Sequence, residues 1–460
     1  MKSRLRLLFA VAVVVLLCVP LLPVCGADDP VKVSVVTDRP DALYACGEEA
    51  RFLVTVTKAG DAVTSGSVEY TLTLDGGEKL AAETVELGPQ AAEIVGELQQ
   101  PGVLLCTAVY TDGGKRHAGL AGAAYDPYQI QPSAPEPADF DRFWDRAKMR
   151  LARVAMDPIL EKSDQHSTGD VTVYKISLGN IAGSRVYGWF GLPNRAGKFP
   201  AILTVPYAGV YPTPANWTDW ARRGFIAMGI SAHDYDCDLP KETYDELNSG
   251  AIRGYPFRGR ESANSYYFMR VFLSCVRSID YLTSRPEWDG ETLIVTGSSQ
   301  GGGLSIVSAG LDQRVTGIAA NVPALCDHTG AMVGRQAGWP RLIPSGDELA
   351  VERVTRVAQY YDAVNFARRI KCPTIMAVGL IDRTCPPSGV FAAFNQIQRS
   401  LSTPYSALCE CPIRGAISIC LGPWIWLKAA KTPDGGQVRS IRPTAMIVGH
   451  LMRRAKFTAS

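Results

Sequence analysis

The chain has 460 residues, of which 47% are hydrophobic and 20% are charged. This composition excludes an intrinsically disordered chain, and the length suffices for two or three folded domains. The 47 basic residues nearly balance the 45 acidic ones, which leaves a formal net charge of +2. The balance gives no reason to expect a nucleic acid or an anionic lipid as partner, and favours a neutral or small ligand.

The first residues are typical of an export signal. Three of the first six are basic, an apolar run follows over residues 7–22, and Cys25-Gly26-Ala27 offers small residues for cleavage. The apolar run is shorter than the ~20 residues that cross a membrane, so a retained anchor is the less favoured alternative. We therefore expect residues 1–27 to be a signal peptide that is removed. The mature protein is expected to be secreted or periplasmic, without stable membrane insertion.

Residues 28–125 are predicted to form an all-β domain. Short runs rich in β-favouring residues are separated by two Asp-Gly-Gly turns, at residues 75–77 and 112–114. About seven short strands in about 100 residues are typical of a small immunoglobulin-like sandwich. Cys46 and Cys106 could form a disulfide after export or remain packed thiols. This part shows no catalytic cluster, which favours a spacer or a binding module.

Residues 126–398 are predicted to form an α/β domain. Four prolines in residues 126–137 indicate a linker at its start. Strands and helices then alternate, which is typical of a mostly parallel sheet covered on both faces. A helix is predicted after Asp139, and a second one with an apolar face ends before Pro286. The predicted strands cover residues 201–205, 225–230, 292–296, 317–322 and 374–378.

The third of these strands runs directly into Gly297-Ser298-Ser299-Gln300-Gly301, which matches the pattern G-x-S-x-G. The pattern alone is a weak signal, and a plain glycine turn is the alternative interpretation. Its place between a strand and a helix is the context in which such a serine sits in a strained turn that small neighbours permit. We predict that Ser299 is a nucleophile and that the Gln300 backbone N–H points at the developing oxyanion.

Four stretches of the second domain form a recognisable set: Pro137–Trp144, Gly297–Gly303, Tyr361–Ala367 and Gly379–Pro387. Together they resemble the acetyl xylan esterase and cephalosporin C deacetylase family of α/β-hydrolases, from about Pro137 to Gln398 but not in the β-rich part. The expected class is therefore α/β, an α/β-hydrolase fold preceded by the small all-β immunoglobulin-like sandwich.

The resemblance implies hydrolysis of acetate esters on xylose units and small oligosaccharides, an acetylated carbohydrate being the substrate. A serine, histidine and aspartate triad would act without a metal or an organic cofactor, and a homo-oligomer is compatible with the family. A general short-chain carboxylesterase is the alternative.

Two further site residues follow from the resemblance. Asp382, just past the last predicted strand, matches the acid that orients the histidine, and the order serine then aspartate is the one this fold uses. A loop cap is the alternative role for Asp382. Tyr207 matches the residue whose backbone N–H is the second oxyanion donor, each donor being worth roughly 3 kcal/mol. Packing alone is the alternative role for Tyr207.

The sequence departs from the family beside Tyr207. Val205-Pro206 stands where the family has His-Gly, which still leaves Tyr207 its N–H. The family's Arg-Gly-Gln is replaced by residues 231–234, which leaves the local support of the site in question. His233 lies within this replacement, and it either lines the pocket or makes structural hydrogen bonds.

A larger departure follows the acid. The catalytic histidine is expected on the order of 30 residues after Asp382, yet the next histidine is His450. From Arg399 onward there are nine Lys or Arg against two acids, and no final strand is predicted. We interpret residues 399–460 as an anomalous tail with a slipped reading frame, with a basic interaction tail as the alternative.

Within this tail, a metal site at Cys409, Cys411 and Cys420 lacks a fourth ligand, so none is expected. His450 remains the candidate for the triad histidine. A non-catalytic member that binds carbohydrate is accordingly the alternative function.

Overall fold

The structure is a computed structural model that describes residues 31–397 and two later strands at residues 406–410 and 416–421. The export signal at residues 1–27 and His450 lie outside the described residues. Among the helices of the described part, none is long and apolar enough to cross a membrane.

The N-terminal part consists of two mostly antiparallel sheets. Its strands are β1 (Val31–Thr37), β2 (Leu43–Tyr44), β3 (Ala50–Lys58), β4 (Asp61–Ala62), β5 (Ser67–Leu74), β6 (Lys79–Glu86), β7 (Ala92–Gly96), β8 (Gly102–Asp112) and β9 (Lys115–Tyr125). In one sheet β3 pairs with β1, β4 and β7, and the other has the order β2, β9, β8, β5, β6.

Buried side chains from both sheets meet in one hydrophobic core. Val33 and Phe52 of the first sheet belong to the same buried cluster as Leu72 of the second. Along β1 and β3 buried residues alternate with exposed or half-buried ones, as expected for strands with one face in a core. Cys46 and Cys106 are free thiols in this structure, so the disulfide that the sequence allowed is not formed.

The segment predicted as a linker, residues 126–137, is docked on the C-terminal part. Ile130 is fully buried, and the Asn395 side-chain amide donates to the carbonyl oxygens of Pro127 and Ile130, both at 2.9 Å. The proline content predicted the connection but not this docking, because the partners lie more than 250 positions away in the chain. The segment is therefore packed on the C-terminal part and is not an extended spacer between the two parts.

The C-terminal part contains seven α-helices within the described residues. They are α1 (Phe140–Ala152), α2 (Lys241–Ser249), α3 (Tyr267–Ser284), α4 (Gln300–Leu311), α5 (Glu348–Tyr361), α6 (Ala363–Ala367) and α7 (Pro387–Gln396). Short 3₁₀ helices cover Pro127–Gln129, Ile181–Gly183, Ala215–Arg223, Tyr255–Phe257 and Gly330–Val333.

The strands of this part form one ten-stranded sheet. They are β10 (Ile159–Lys162), β11 (Val171–Gly179), β12 (Arg185–Pro193), β13 (Phe199–Thr204), β14 (Ile226–Ile230), β15 (Trp288–Ser298), β16 (Gly317–Asn321), β17 (Thr374–Gly379), β18 (Ser406–Glu410) and β19 (Ala416–Leu421). Their order is β10, β11, β12, β14, β13, β15, β16, β17, β19, β18. From β14 to β17 neighbouring strands are parallel, and these are the strands that the sequence predicted.

The parallel strands are covered on both faces. Leu203 and Val295 point into a large core that also holds residues of α1, α3 and α4. Ile202 and Ile294, their neighbours in the chain, point into a smaller core on the other face. This alternation follows from the two-residue repeat of a strand and explains why the strands are apolar throughout.

Two strands extend the sheet past β17, and both are antiparallel to their neighbours. The expectation that no strand follows Arg399 is therefore wrong. The reason is that the edge of β17 offers unpaired backbone groups, and a short apolar segment such as Ala416–Leu421 can pair with them whatever its direction.

Candidate active site

Ser299 occupies a sharp turn between β15 and α4. Its backbone angles are φ 56° and ψ −118°, a region that side chains other than glycine adopt only under strain. The strain is held by flanking hydrogen bonds, because the Ser299 N–H donates to Asn321 O and the Ala324 N–H donates to Ser299 O, both at 2.9 Å. The strand therefore presents the Ser299 hydroxyl at the end of the sheet.

The glycines of the motif are required by close backbone contacts. A Cβ on Gly297 would lie 2.6 Å from the Gly301 carbonyl group, and a Cβ on Gly301 would lie 2.6 Å from Val205 O. Distances this short do not occur between real side chains and backbone. The sterically small neighbours that the sequence analysis expected are therefore a requirement of the packing between β13, β15 and α4.

Asp382 lies in the loop after β17, which we call the acid loop (Leu380–Pro386). Its Oδ1 accepts hydrogen bonds from the backbone N–H groups of Thr384 at 2.8 Å and Cys385 at 2.9 Å. The carboxylate therefore organises its own loop, as the capping interpretation expected. The same bonds hold it in one orientation, so the capping role and the acid role are compatible.

Cys385 brings the acid loop to Ser299. Its Sγ lies 3.9 Å from Ser299 Oγ. Burial, assisted by the negative charge of Asp382 and opposed by the Ser299 hydroxyl, raises the pKa of the Cys385 thiol to about 12. Ser299 and Asp382 thus both act on one buried thiol, which the sequence analysis did not single out.

The proposed oxyanion donors lie on two adjacent segments. The Gln300 N–H is at the first turn of α4, where helix N–H groups have no partner within the helix. Within the described residues, neither the Gln300 nor the Tyr207 N–H donates a hydrogen bond to the protein. Both groups are thus available to a ligand oxygen beside Ser299.

The Gln300 side chain ties these two segments together. Its Nε2 donates to Pro206 O at 3.2 Å and to Tyr207 O at 3.4 Å. Its Oε1 accepts from the Tyr255 hydroxyl at 2.8 Å, and that hydroxyl accepts from the Gly209 N–H at 3.2 Å. The side chain is fully buried, so it fixes the turn after β13 relative to the start of α4.

His233 holds the turn after β13 through a hydrogen bond to its backbone. Its Nε2 lies 2.9 Å from Gly209 O and its Nδ1 lies 2.7 Å from the Tyr267 hydroxyl. Because a carbonyl oxygen only accepts, Nε2 carries the hydrogen and Nδ1 accepts from Tyr267. Tyr267 in turn accepts from Arg270 Nη2 at 2.7 Å. The sequence left open whether residues 231–234 could support the site in place of the family's Arg-Gly-Gln. They do so through the hydrogen bonds of His233.

The same contacts exclude His233 from the role of general base. Burial lowers the pKa of His233 to about 4, with the Gly209 carbonyl opposing and the Arg270 charge assisting. Both ring nitrogens are already engaged. Of the two interpretations that the sequence allowed for His233, the structural one is confirmed.

The remaining histidines near this domain do not contact Ser299 in the described part. His328 is buried, which lowers its pKa to about 4. His166 packs edge-on against Trp189, with ring centroids 4.9 Å apart. His450 lies outside the described residues, so the structure does not place the histidine of the triad.

One acidic cluster with metal-ligand chemistry occurs in the described residues, at Asp236, Cys237 and Asp238. The Lys175 ammonium already lies 3.3 Å from the Asp236 carboxylate and 2.8 Å from that of Asp238. Although burial opposes the charged form, these hydrogen bonds and charges raise the pKa of Lys175. A protein cation is thus already paired with both carboxylates of the cluster.

Sequence comparison identifies the family. Residues 126–403 match the family model described as acetyl xylan esterase. The chain belongs to the acetyl xylan esterase family. It is accordingly an esterase with an α/β-hydrolase fold, as the resemblance of its motifs implied.

A relative of this chain is the acetyl esterase Axe7A of Xylanibacter ruminicola, which is 34% identical over 377 residues, 80% of this chain and 85% of the relative. The aligned share is longer than everything that follows Tyr125, so it includes part of β1 to β9. Similarity to this relative therefore reaches into the β-rich part, where the motifs showed none.

Two solved structures have a similar fold. The acetyl xylan esterase from Paenibacillus sp. R4 is 29% identical, with a TM-score of 0.51, and the alignment covers 59% of this chain and 88% of that one. Acetyl xylan esterase 1 from Thermoanaerobacterium sp. JW/SL YS485 is 27% identical, with a TM-score of 0.50 and the same coverage.

Proposed function

We propose that the protein is a serine esterase that removes acetyl groups from acetylated xylan or xylo-oligosaccharides. The observation that carries the proposal is the strained turn at Ser299, with the free Gln300 and Tyr207 N–H groups beside it. The xylan part of the proposal rests on the two similar solved structures, which are acetyl xylan esterases.

The proposed reaction has two steps. Ser299 Oγ attacks the acetyl carbonyl carbon while the hydroxyl proton passes to a general base. The carbonyl oxygen becomes an oxyanion that accepts hydrogen bonds from the Gln300 and Tyr207 N–H groups. Collapse breaks the ester bond, and the sugar hydroxyl leaves with the proton from the base. Water then attacks the acetyl-serine in the same way and releases acetate. Removal of one oxyanion donor would cost about 3 kcal/mol of transition-state stabilisation.

The base is proposed to be a histidine oriented by Asp382. In such a triad the aspartate fixes the imidazole tautomer and stabilises the imidazolium. Its carboxylate is held by the Thr384 and Cys385 N–H groups, which leaves Oδ2 for the imidazole. His450 is the candidate in this chain for the base.

The sugar is proposed to lie on the side of Tyr207. Tyr207 is 41% exposed, and its ring stacks on Tyr211 with centroids 4.2 Å apart. An exposed aromatic face suits the apolar face of a pyranose. The acetyl group would lie on the other side, against the buried Cys385.

We further propose that the protein is secreted or periplasmic after removal of residues 1–27, and that the β-rich part is an immunoglobulin-like sandwich. A homo-oligomer is compatible with the family. Intact mass and N-terminal sequencing of exported material test the first point, because the mature chain is expected to begin near Asp28. A chain that starts at Met1 in the cytoplasm contradicts it.

The function is tested by acetate release from two substrates, an aryl acetate and an acetylated xylo-oligosaccharide. In a chain with its triad histidine in place, we expect both to be hydrolysed and the activity to be lost when Ser299 is blocked by a fluorophosphonate. Hydrolysis of the aryl acetate without any release from the oligosaccharide would reduce the assignment to a general short-chain carboxylesterase. Binding of the oligosaccharide without hydrolysis of either would indicate a carbohydrate-binding member.

A further inference from the structure

The β-rich part and the α/β part share a core. Ala42, Val103 and Ala124 of the N-terminal sheets belong to the same buried hydrophobic cluster as Leu380 and Phe394. Leu380 begins the acid loop and Phe394 lies on α7, which follows it. The N-terminal part therefore packs directly on the segment that carries Asp382.

The first contact between the N-terminal part and the acid loop is made by Gly122 and Leu380. Gly122 of β9 approaches the Leu380 backbone so closely that a Cβ on this glycine would overlap the Leu380 carbonyl oxygen and lie 2.9 Å from Leu380 Cβ. Leu380 is nearly fully buried. The surface of β9 thus sets the position of the first residue of the acid loop.

The second point of contact lies at the other end of the loop. Helix α7 begins with Pro386 as its N-cap residue, and no side chain of the helix itself caps it. Instead the Ser388 N–H donates to Asp75 Oδ2 at 3.3 Å. An aspartate of the β-rich part therefore takes the place of an N-cap for the helix that ends the acid loop.

The geometry of Asp75 is built for this contact. The residue follows β5 with φ 53°, a left-handed conformation that Asp and Asn tolerate better than most residues. Its N–H donates to Val103 O at 2.7 Å. Burial raises the pKa of Asp75 well above its usual value, while Arg335 lowers it and Asp327 raises it. A carboxyl oxygen accepts the Ser388 hydrogen in either protonation state.

A third contact runs through the segment Gly334–Gln336. The Glu78 N–H, in the turn after Asp75, donates to Gly334 O at 2.7 Å. The Gln336 side-chain amide then donates to Arg383 O, the neighbour of Asp382. The Asp75–Glu78 turn is therefore linked to the middle of the acid loop as well as to its end.

We propose that the Asp75–Glu78 turn and Gly122 position the acid loop, so that the N-terminal part is a structural component of the active site and not a spacer. Asp75 is a positioning residue, since it acts through Ser388 and α7. The inference rests on the proposed role of Asp382 for its effect on catalysis, but not for its effect on the loop.

The test measures amide hydrogen exchange by mass spectrometry in the full chain. Asp75→Gly removes the carboxyl group and tolerates the left-handed backbone, and Asp75→Asn keeps a capping oxygen. We expect Asp75→Gly to raise exchange over residues 382–390 about fivefold, the factor that corresponds to ~1 kcal/mol for a lost cap, and Asp75→Asn to exchange like the wild type. Asp112→Gly is the control, because Asp112 pairs with Lys58 inside the N-terminal part.

A second pair of variants covers the case in which Asp75→Gly does not fold. Gly122→Ala pushes against Leu380, whereas a Cβ on Gly88 meets nothing within 4 Å. We expect Gly122→Ala to raise exchange over residues 380–386 and Gly88→Ala to leave it unchanged. Equal exchange in both alanine variants, or an Asp75→Asn variant that exchanges like Asp75→Gly, overturns the proposal.

Aryl acetate hydrolysis, measured for the same variants in a chain with its triad histidine in place, separates this proposal from the proposed function. If the amides of the acid loop exchange faster and kcat falls while KM is unchanged, both the positioning proposal and the proposed function hold. If the loop exchanges faster and turnover is unaffected, the positioning of the loop stands and the role of Asp382 in catalysis is wrong.

Discussion

The Tyr255 hydroxyl donates to the Gln300 side-chain oxygen at 2.8 Å, and through this bond a 3₁₀ turn holds the first residue of α4. The Gln300 side-chain amide in turn donates hydrogen bonds to Pro206 O and Tyr207 O. The two backbone N–H groups proposed for the oxyanion are thus fixed relative to each other by one buried side chain. Such rigidity matters because a donor stabilises the transition state only where it already points at the oxyanion.

Tyr255→Phe tests this arrangement. The change keeps the ring but removes the donor to Gln300 and the acceptor for the Gly209 N–H. Leaving buried polar groups unpaired costs about 1–3 kcal/mol. We expect kcat for an aryl acetate to fall about tenfold with little change in KM, because the substrate contacts remain.

Tyr244→Phe is the matched control. The Tyr244 hydroxyl donates to the backbone oxygen of Asp236, which belongs to the Lys175 cluster and not to the turn at Tyr207. We expect this variant to keep the wild-type kcat. A similar loss in both variants would show that Tyr255 contributes only to general stability.

In a chain with its triad histidine in place, Ser299→Ala is expected to abolish ester hydrolysis while the fold is retained. The hydroxyl makes one contact within the described residues, with Cys385 Sγ, so its removal disturbs little packing. Loss of a serine nucleophile lowers kcat by about 10⁶-fold. Acetate release is measured alongside circular dichroism, and turnover close to that of the wild type would remove the nucleophile assignment.

His233 is expected to make stability fall with acid. Its pKa is about 4 in the folded state against 6.5 when exposed, so between these values the unfolded chain binds a proton that the folded chain does not. Stability from this group is therefore complete above pH ~6.5 and is lost as the pH falls towards 4. At pH 4.5 the loss amounts to about 2 to 3 kcal/mol.

His233→Gln isolates this contribution. We compare the free energies of unfolding of the wild type and the variant by urea titration at pH 7.5 and pH 4.5. The advantage of the wild type should shrink by about 2 to 3 kcal/mol at the lower pH. His328, whose pKa burial also lowers to about 4, is present in both proteins and cancels. An unchanged difference between the two pH values would mean that His233 is protonated in the fold.

Much of the fold could be predicted from local patterns. The five parallel strands are apolar throughout because both faces are buried, and their predicted ranges overlap those observed. The turn at Ser299 was recognisable because a strand, two glycines and a helix follow one another directly in the chain.

The contacts that support the site could not be predicted in the same way. Tyr255 and Gln300 are 45 positions apart, and Asp75 and Ser388 are 313 positions apart. A hydrogen bond between distant segments leaves no periodic pattern in either of them. His233 shows the same limit, since its role depends on Gly209 and Tyr267, neither of which lies beside it in the chain.

Acyl-chain length is expected to separate this protein from general carboxylesterases. Cys385 is almost fully buried and lies 3.9 Å from Ser299 Oγ, which leaves little room for a longer acid. Added methylenes would have to displace packed groups. We expect aryl acetates to be cleaved at least tenfold faster than hexanoates or octanoates at equal concentration. Faster cleavage of the longer esters would favour a lipase-like carboxylesterase.

The last prediction is that the 460-residue chain as written is a very poor esterase. Its described residues place no histidine against Ser299, whose hydroxyl is a weak nucleophile without a base. The match to the family model ends at residue 403, close to Arg399, where the composition changes. The shifted reading frame of the tail is a prediction that would account for both changes.

The test compares the chain as written with one whose residues after Gln398 are translated from the alternative frame that restores a histidine about 30 residues after Asp382. We expect the restored chain to hydrolyse an aryl acetate at least 10³-fold faster, since a missing triad member leaves only binding and the oxyanion donors. Equal activity of the chain as written, lost on His450→Ala, would show instead that the tail is native and that His450 completes the triad.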